Sequence, residues 1–73
     1  MKLYIIRGRV PREGVGFDHL DVFFNSNYGW STDAGDFWMN RDIAEDELSL
    51  NACRWSFDGE RVLDARVFEV VVP

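Results

Sequence analysis

The C-terminal run Arg66-Val67-Phe68-Glu69-Val70-Val71-Val72 constrains this chain more than any other stretch. Four of its seven residues are valine, and β-branched side chains suit a pleated strand better than a helix. Alternation places Phe68, Val70 and Val72 on one face and Val67, Glu69 and Val71 on the other. The second face carries a charge, so the first is expected to look into the core. The rest of the chain has to cover it.

Two more strands are legible upstream. Over residues 2 to 10, Leu3 and Ile5 share one face while Tyr4, Ile6 and Val10 share the other. Apolar residues on both faces suit a strand inside a sheet. Arg7 and Arg9 make one face polar at the far end, and Pro11 is expected to end the strand because it has no amide hydrogen to donate. Residues 11 to 18, with Pro11, Gly14 and Gly16, read as a loop or wide turn. Over 19 to 25, Leu20, Val22 and Phe24 alternate with Asp21, Phe23 and Asn25. Phe23 then lies on the outer face and needs cover or a partner. A short extended piece is expected around Tyr28 to Ser31.

Asp33 and Gly35 suggest a turn, and the consecutive Phe37, Trp38 and Met39 cannot all point one way. A short helix is expected over 42 to 51. Asp42 and Glu45 have the spacing of a capping box, and Asp42, Glu45, Asp46 and Glu47 suit the positive end of a helix dipole. Ile43 pairs with Leu50 on one stripe and Ala44 with Leu48 on another. Cys53, Trp55 and Phe57 then alternate with Arg54 and Ser56, and Asp58-Gly59 is a hairpin signal. The preferred reading is a hairpin, 53–57 with 61–72. The competing reading extends the helix through Phe57. The expected fold is α+β: a single domain over residues 1–73, with a small, mainly antiparallel sheet of about four strands and one short helix packed on a face.

Composition narrows the function classes. The chain has 73 residues and a net charge of −5, unevenly spread. Residues 1 to 17 hold Lys2, Arg7, Arg9 and Arg12 against Glu13, whereas 18 to 47 hold eight carboxylates against Arg41. A basic head before an acidic middle bears on partners. The single cysteine, Cys53, admits no internal disulfide and fits a reducing compartment; in its apolar alternation it reads as a small buried hydrophobe. No stretch approaches the ~20 apolar residues of a membrane span, and the N-terminus lacks the apolar run of a signal peptide. A cytoplasmic setting is expected.

No catalytic constellation is legible. His19 with Cys53 is no metal-ligand set, Asp33 and Asp36 lack the spacing of a calcium loop, and Gly14-Val15-Gly16 is too little for a phosphate or dinucleotide loop. No enzyme, cofactor or metal is expected. Binding is the better class. The candidate partner-binding residues are Trp30, Asp33, Asp36, Trp38, Asp46 and Glu47, with Phe37 among them, because Trp anchors ringed by charge have the make-up of interface hot spots. The bland alternative makes Trp30, Phe37 and Trp38 core residues. A secondary basic contact is assigned to Arg7, Arg9 and Arg12, since arginine pairs well with phosphate and aromatics on a sheet can stack bases. The acidic total opposes nucleic-acid binding as the sole role, so that contact is auxiliary. A third reading has Asp33, Asp36, Asp42, Glu45, Asp46 and Glu47 imitate a phosphate backbone in a basic groove.

The extended opening MKLYIIRGRV, the GWSTDAGDFW segment, the acidic helix RDIAEDEL and the closing strand RVFEVVVP together resemble, in size and layout, the small early proteins of bacteriophages that bind and redirect a host enzyme. Within that group the chain is similar to the antitermination regulators that bind host RNA polymerase. The resemblance implies a non-catalytic, cytoplasmic protein that modulates transcription initiation or termination by contact with a host multisubunit enzyme; the chain itself is expected to be a monomer or weak dimer. It has no strongly basic arm, unlike antiterminators that grip RNA themselves, which favours action through protein contacts. The alternative resemblance is to anti-CRISPR inhibitors, which use acidic surfaces to occupy nucleic-acid grooves.

Overall fold

A computed structural model describes residues 1–12 and 19–73; the loop expected over 11–18 lies, apart from Pro11 and Arg12, outside the described residues. Four strands form one antiparallel sheet: β1 (Lys2–Pro11), β2 (His19–Asn25), β3 (Gly29–Ser31) and β4 (Leu63–Val71), in the order β3-β2-β1-β4. One helix, α1 (Arg41–Leu50), and a 3-10 turn at Ala52–Arg54 lie between β3 and β4. The expected α+β class is what the chain forms.

The two-residue alternation of β1 and β2 sets the layers. Residues directly opposite on antiparallel strands share a face. Ile6 pairs with Val67, Gly8 with Val22, Val10 with Leu20, and Phe24 with Trp30. That face is the core: Ile6, Val10, Val22 and Phe24 are fully buried, and Trp30, Val67, Ala44 and Ala52 join them. Phe24 and Trp30 meet edge to face, with ring centroids 5.3 Å apart, a geometry worth about 0.5–1.5 kcal/mol beyond area. Gly8 leaves the room that Val62 fills; a Cβ there would lie 2.2 Å from the Val62 methyl.

The helix covers β1 and β4. It starts two residues earlier than the capping-box spacing suggests. Asn40 is the N-cap, and its side-chain oxygen accepts from the Asp42 and Ile43 amides at 2.8 and 3.3 Å. Asparagine serves there as well as aspartate, so Asp42 falls inside the first turn, where the helix dipole still favours its charge. Ala44 is buried and Leu48 half-buried against the sheet, whereas Ile43 and Leu50 stay exposed.

Three expectations are corrected. In β4, Val67 rather than Phe68 faces the core, and Phe68 and Val70 lie on the opposite face, across from Ile5 and Leu3. Glu69 does not mark the solvent side: it sits at the rim of the helix-covered face, opposite Tyr4, and meets Lys2 at 3.6 Å. The strand expected at 53–57 is absent, and α1 does not run on to Phe57. Phe57 and Glu60 do exchange backbone hydrogen bonds of 2.9 and 2.8 Å around Asp58-Gly59, with φ of +50° and +79°, the signature of a type I′ turn, but the pairing stops at that one bridge. The backbone before it is drawn away because the buried Trp30 indole donates to the carbonyls of Ala52 and Trp55, at 3.3 and 3.2 Å, and a carbonyl so engaged is set by the 3-10 turn rather than by a ladder. Third, Cys53 is exposed rather than buried, its thiol 3.1 Å from the Ser49 carbonyl. Two smaller differences concern β1 and β3: β1 includes Pro11, opposite His19, and β3 is confined to Gly29–Ser31.

β4 gains one residue relative to β1. Arg7 pairs with Arg66 but Arg9 with Leu63, and Asp64 takes φ +53° within the irregularity. Such a bulge twists and re-aims an edge strand.

Phe24→Ala is expected to cost about 3–5 kcal/mol, a large share of the roughly 4–11 kcal/mol available to a chain this size. Asn40→Ala is expected to cost about 1 kcal/mol. Urea unfolding followed by tryptophan fluorescence checks both; equal losses in the two variants would contradict the placement of Phe24 at the centre of the core.

Candidate binding surfaces

The helix side and the uncovered sheet face present different chemistry. On α1, Ile43 (55% exposed) and Leu50 (59%) lie seven residues apart, on one stripe, with Asp46 and Glu47 between them. Residues at three- and four-residue spacing are neighbours on a helix surface, so the stripe is apolar at its ends and acidic in the middle. Asp46 is exposed. Glu47 is half-buried and accepts from the Asn51 side chain at 2.8 Å. Met39, 77% exposed, precedes the N-cap.

The other candidate partner residues do not gather with these. Trp30 is 7% exposed and belongs to the core. Trp38 is half-buried and packs against the core; its backbone exchanges two hydrogen bonds of 2.8 Å with Tyr4, filling the edge of β1 that β2 leaves open beyond Arg7. Asp36 is half-buried, its carboxylate accepting from the Ser26 amide at 2.9 Å and the Ser26 hydroxyl at 2.6 Å. Asp33 is exposed and, with Phe37, lines a groove on the opposite side of the sheet from α1. The three consecutive apolar residues thus diverge: Trp38 toward the core, Phe37 to the open face, Met39 to solvent.

The open face carries Leu3, Ile5, Arg7, Arg9, Asp21, Phe23, Arg66, Phe68 and Val70, as the strand register dictates. Ile5, Phe23, Ala34 and Phe37 wall a groove of about 140 Å³. Next to it, Arg7, Gly8, Arg9, Asp64, Arg66 and Phe68 line a shallow cleft of about 110 Å³ beside the bulge. Arg7 lies over the Phe68 ring, 4.1 Å from its centroid, a contact worth about 0.5–1 kcal/mol at an exposed site. Arg7 stands directly across from Arg66, and like charges in that position are destabilising. Arg12 is elsewhere. It donates to Glu60 at 2.6 Å and to the Pro11 carbonyl at 2.9 Å, and lies over Phe57 at 5.7 Å, tying the end of β1 to the Asp58-Gly59 turn. Of the basic trio expected from the sequence, Arg7 and Arg9 are therefore together and Arg12 is not.

Arg66 and Phe68 were not readable as site residues from sequence alone. The signal that would have shown them is the β1–β4 register, which sets Arg66 opposite Arg7 and Phe68 opposite Ile5. Among the described residues, no group of three His, Cys, Asp or Glu side chains could hold a metal ion, and no helix is long and apolar enough to cross a membrane. Comparison with protein families, with curated proteins and with solved structures finds no match to this chain.

Removing one member of the like-charge pair is expected to help folding. Arg66→Gln should raise stability by about 0.2–1 kcal/mol at low salt, and the gain should shrink as salt screens the repulsion. Thermal melts at two salt concentrations check this; a variant less stable than the parent at low salt would show that the pair is not repulsive in the free protein.

Proposed function

We propose that the chain is a non-catalytic binding protein that seats the outer stripe of α1 on a protein partner. The observation that supports this is the exposure of Ile43 and Leu50 on a helix whose other side, Ala44 and Leu48, is already spent on the core. Two aliphatic side chains left in water at the ends of one helix stripe, with Asp46 and Glu47 between them, offer a partner two apolar anchors on either side of an acidic centre. Amphipathic helices dock through anchors at this spacing. Met39, just before the N-cap, extends the apolar end.

The resemblance in layout to phage regulators supplies the partner: a host multisubunit enzyme, bacterial RNA polymerase first, with modulation of initiation or termination as the outcome. In that reading the protein acts by binding one state of the enzyme better than another, since a ligand shifts an equilibrium only through such a difference. A second reading has the acidic side of α1 occupy a nucleic-acid groove on the target, as in anti-CRISPR inhibitors. The observation favouring it is that Asp42, Glu45 and Asp46 are all exposed.

Binding to purified bacterial RNA polymerase, measured by surface plasmon resonance, tests the first reading. Ile43→Asp and Leu50→Asp should each weaken binding by about 2 kcal/mol or more, roughly thirtyfold in Kd, while unfolding free energy moves by no more than about 0.5 kcal/mol, as for other surface changes. Unchanged affinity in both variants would remove the helix stripe from the interface. A loss confined to Asp42, Glu45 and Asp46 reversals, with competition by nucleic acid for the same target, would shift the assignment to the groove-occupying reading.

A further inference from the structure

We propose that the uncovered sheet face binds a single nucleic-acid strand, with the cleft of Arg7, Arg9 and Arg66 holding its phosphates and the adjoining Ile5, Phe23 and Phe37 groove receiving a base. The β1–β4 register carries the inference. It sets Arg7 opposite Arg66, with Arg9 two residues along the same face. Three guanidinium groups thus face one cleft in a protein whose net charge is −5. A like-charged cross-strand pair works against folding, and an anion between the two groups turns that repulsion into binding energy. Among the described residues, no carboxylate lies within ion-pair distance of these three arginines. Asp64 lines the cleft and Asp21 stands opposite Arg9, but the described ion pair of Asp21 is with His19, at 3.6 Å. Arg7 is held in place by its stacking on Phe68, so part of the ordering cost of binding is met before the ligand arrives.

The neighbouring groove selects among anions. Ile5 precedes Arg7 by two residues on the same face, which separates the apolar groove from the cationic cleft by about 6.6 Å along the strand. Ile5 and Phe23 are half-buried and Phe37 is 59% exposed. An aromatic groove beside a cationic cleft on one sheet face suits a strand whose bases are unstacked and whose phosphates repeat. A duplex hides its base faces and could use only the cleft. Guanidinium groups match phosphate oxygens in geometry as well as charge. The carboxylates of α1 lie on the far side of the sheet, where a Debye length of about 8 Å screens them at physiological salt. This inference does not depend on the helix-side partner, and its test uses none.

Fluorescence anisotropy of a labelled oligouridylate of about 12 nucleotides, titrated with the full chain from about 50 to 200 mM salt, provides the test. Binding that weakens with salt is expected. Arg9→Gln and Arg66→Gln should each weaken it and reduce the log–log salt slope by about 0.7, the value for one phosphate contact on a single strand. Phe37→Ala should weaken binding and leave that slope unchanged. The annealed duplex of the same length should bind less tightly. The thermal melt of each variant establishes that it is folded. No binding at about 50 mM salt, indifference to both arginine substitutions, or equal affinity for the duplex would overturn the proposal. So would equally tight displacement by polyglutamate, which would reassign the cleft to a carboxylate-bearing protein.

Discussion

The indole of Trp30 lies where three parts of the chain meet. From β3 it packs edge-on against Phe24 of β2, and its ring carbon is 3.5 Å from where a Cβ on Gly8 of β1 would stand. Its N–H reaches the carbonyls of Ala52 and Trp55 beyond the helix. A buried indole N–H without an acceptor would cost about 1–3 kcal/mol, so the segment after α1 is bound to bring a carbonyl to it. That requirement draws residues 52–55 over the β2–β3 end of the sheet while α1 lies over β1 and β4. Together they close one face. Among the described residues there is no second α-helix for the other face, and residues 33–37 run along its margin.

That single-sided cover gives the molecule two unlike surfaces. On the covered side, the outer stripe of α1 shows Ile43 and Leu50 among carboxylates. On the open side, three arginines and two phenylalanines line up along β1, β2 and β4. The sequence total of −5 conceals this division, because Arg7, Arg9 and Arg66 project from one layer and the acids of α1 from the other.

Much of the fold was legible from period-two alternation: Val22 and Phe24 are buried on the face that the pattern of β2 marks, and in β1, whose start is apolar on both faces, Ile6 and Val10 are buried on the side away from Arg7 and Arg9. The helix was legible from its acids, although Asn40 caps it in place of Asp42. What could not be read were features decided between segments. The face of β4 was assigned from Glu69, a charge that is harmless at the core side because it sits on the rim beside Lys2. The alternation of Cys53, Trp55 and Phe57 resembles a strand, yet the Trp30 indole takes the local carbonyls and leaves a 3-10 turn. The candidate sites were harder still. Trp30 and Trp38 could be either anchors or core, and the β1–β4 register that sets Arg66 opposite Arg7 has no local sequence mark. Asp33 and Asp46, both in the acidic middle of the sequence, end on opposite sides of the sheet.

Among the described residues, α1 and the segment after it cover the centre of one sheet face, and no helix covers the other. Adjacent isoleucines on β1 report on it directly. With a neutral, soluble paramagnetic probe added to the protein in solution, methyl NMR signals relax according to their depth. The Ile5 and Val70 methyls should be strongly broadened while those of Ile6, Val22 and Val67 stay sharp. Equal protection of Ile5 and Ile6 would contradict the account, because it would mean that the second face is covered as completely as the first.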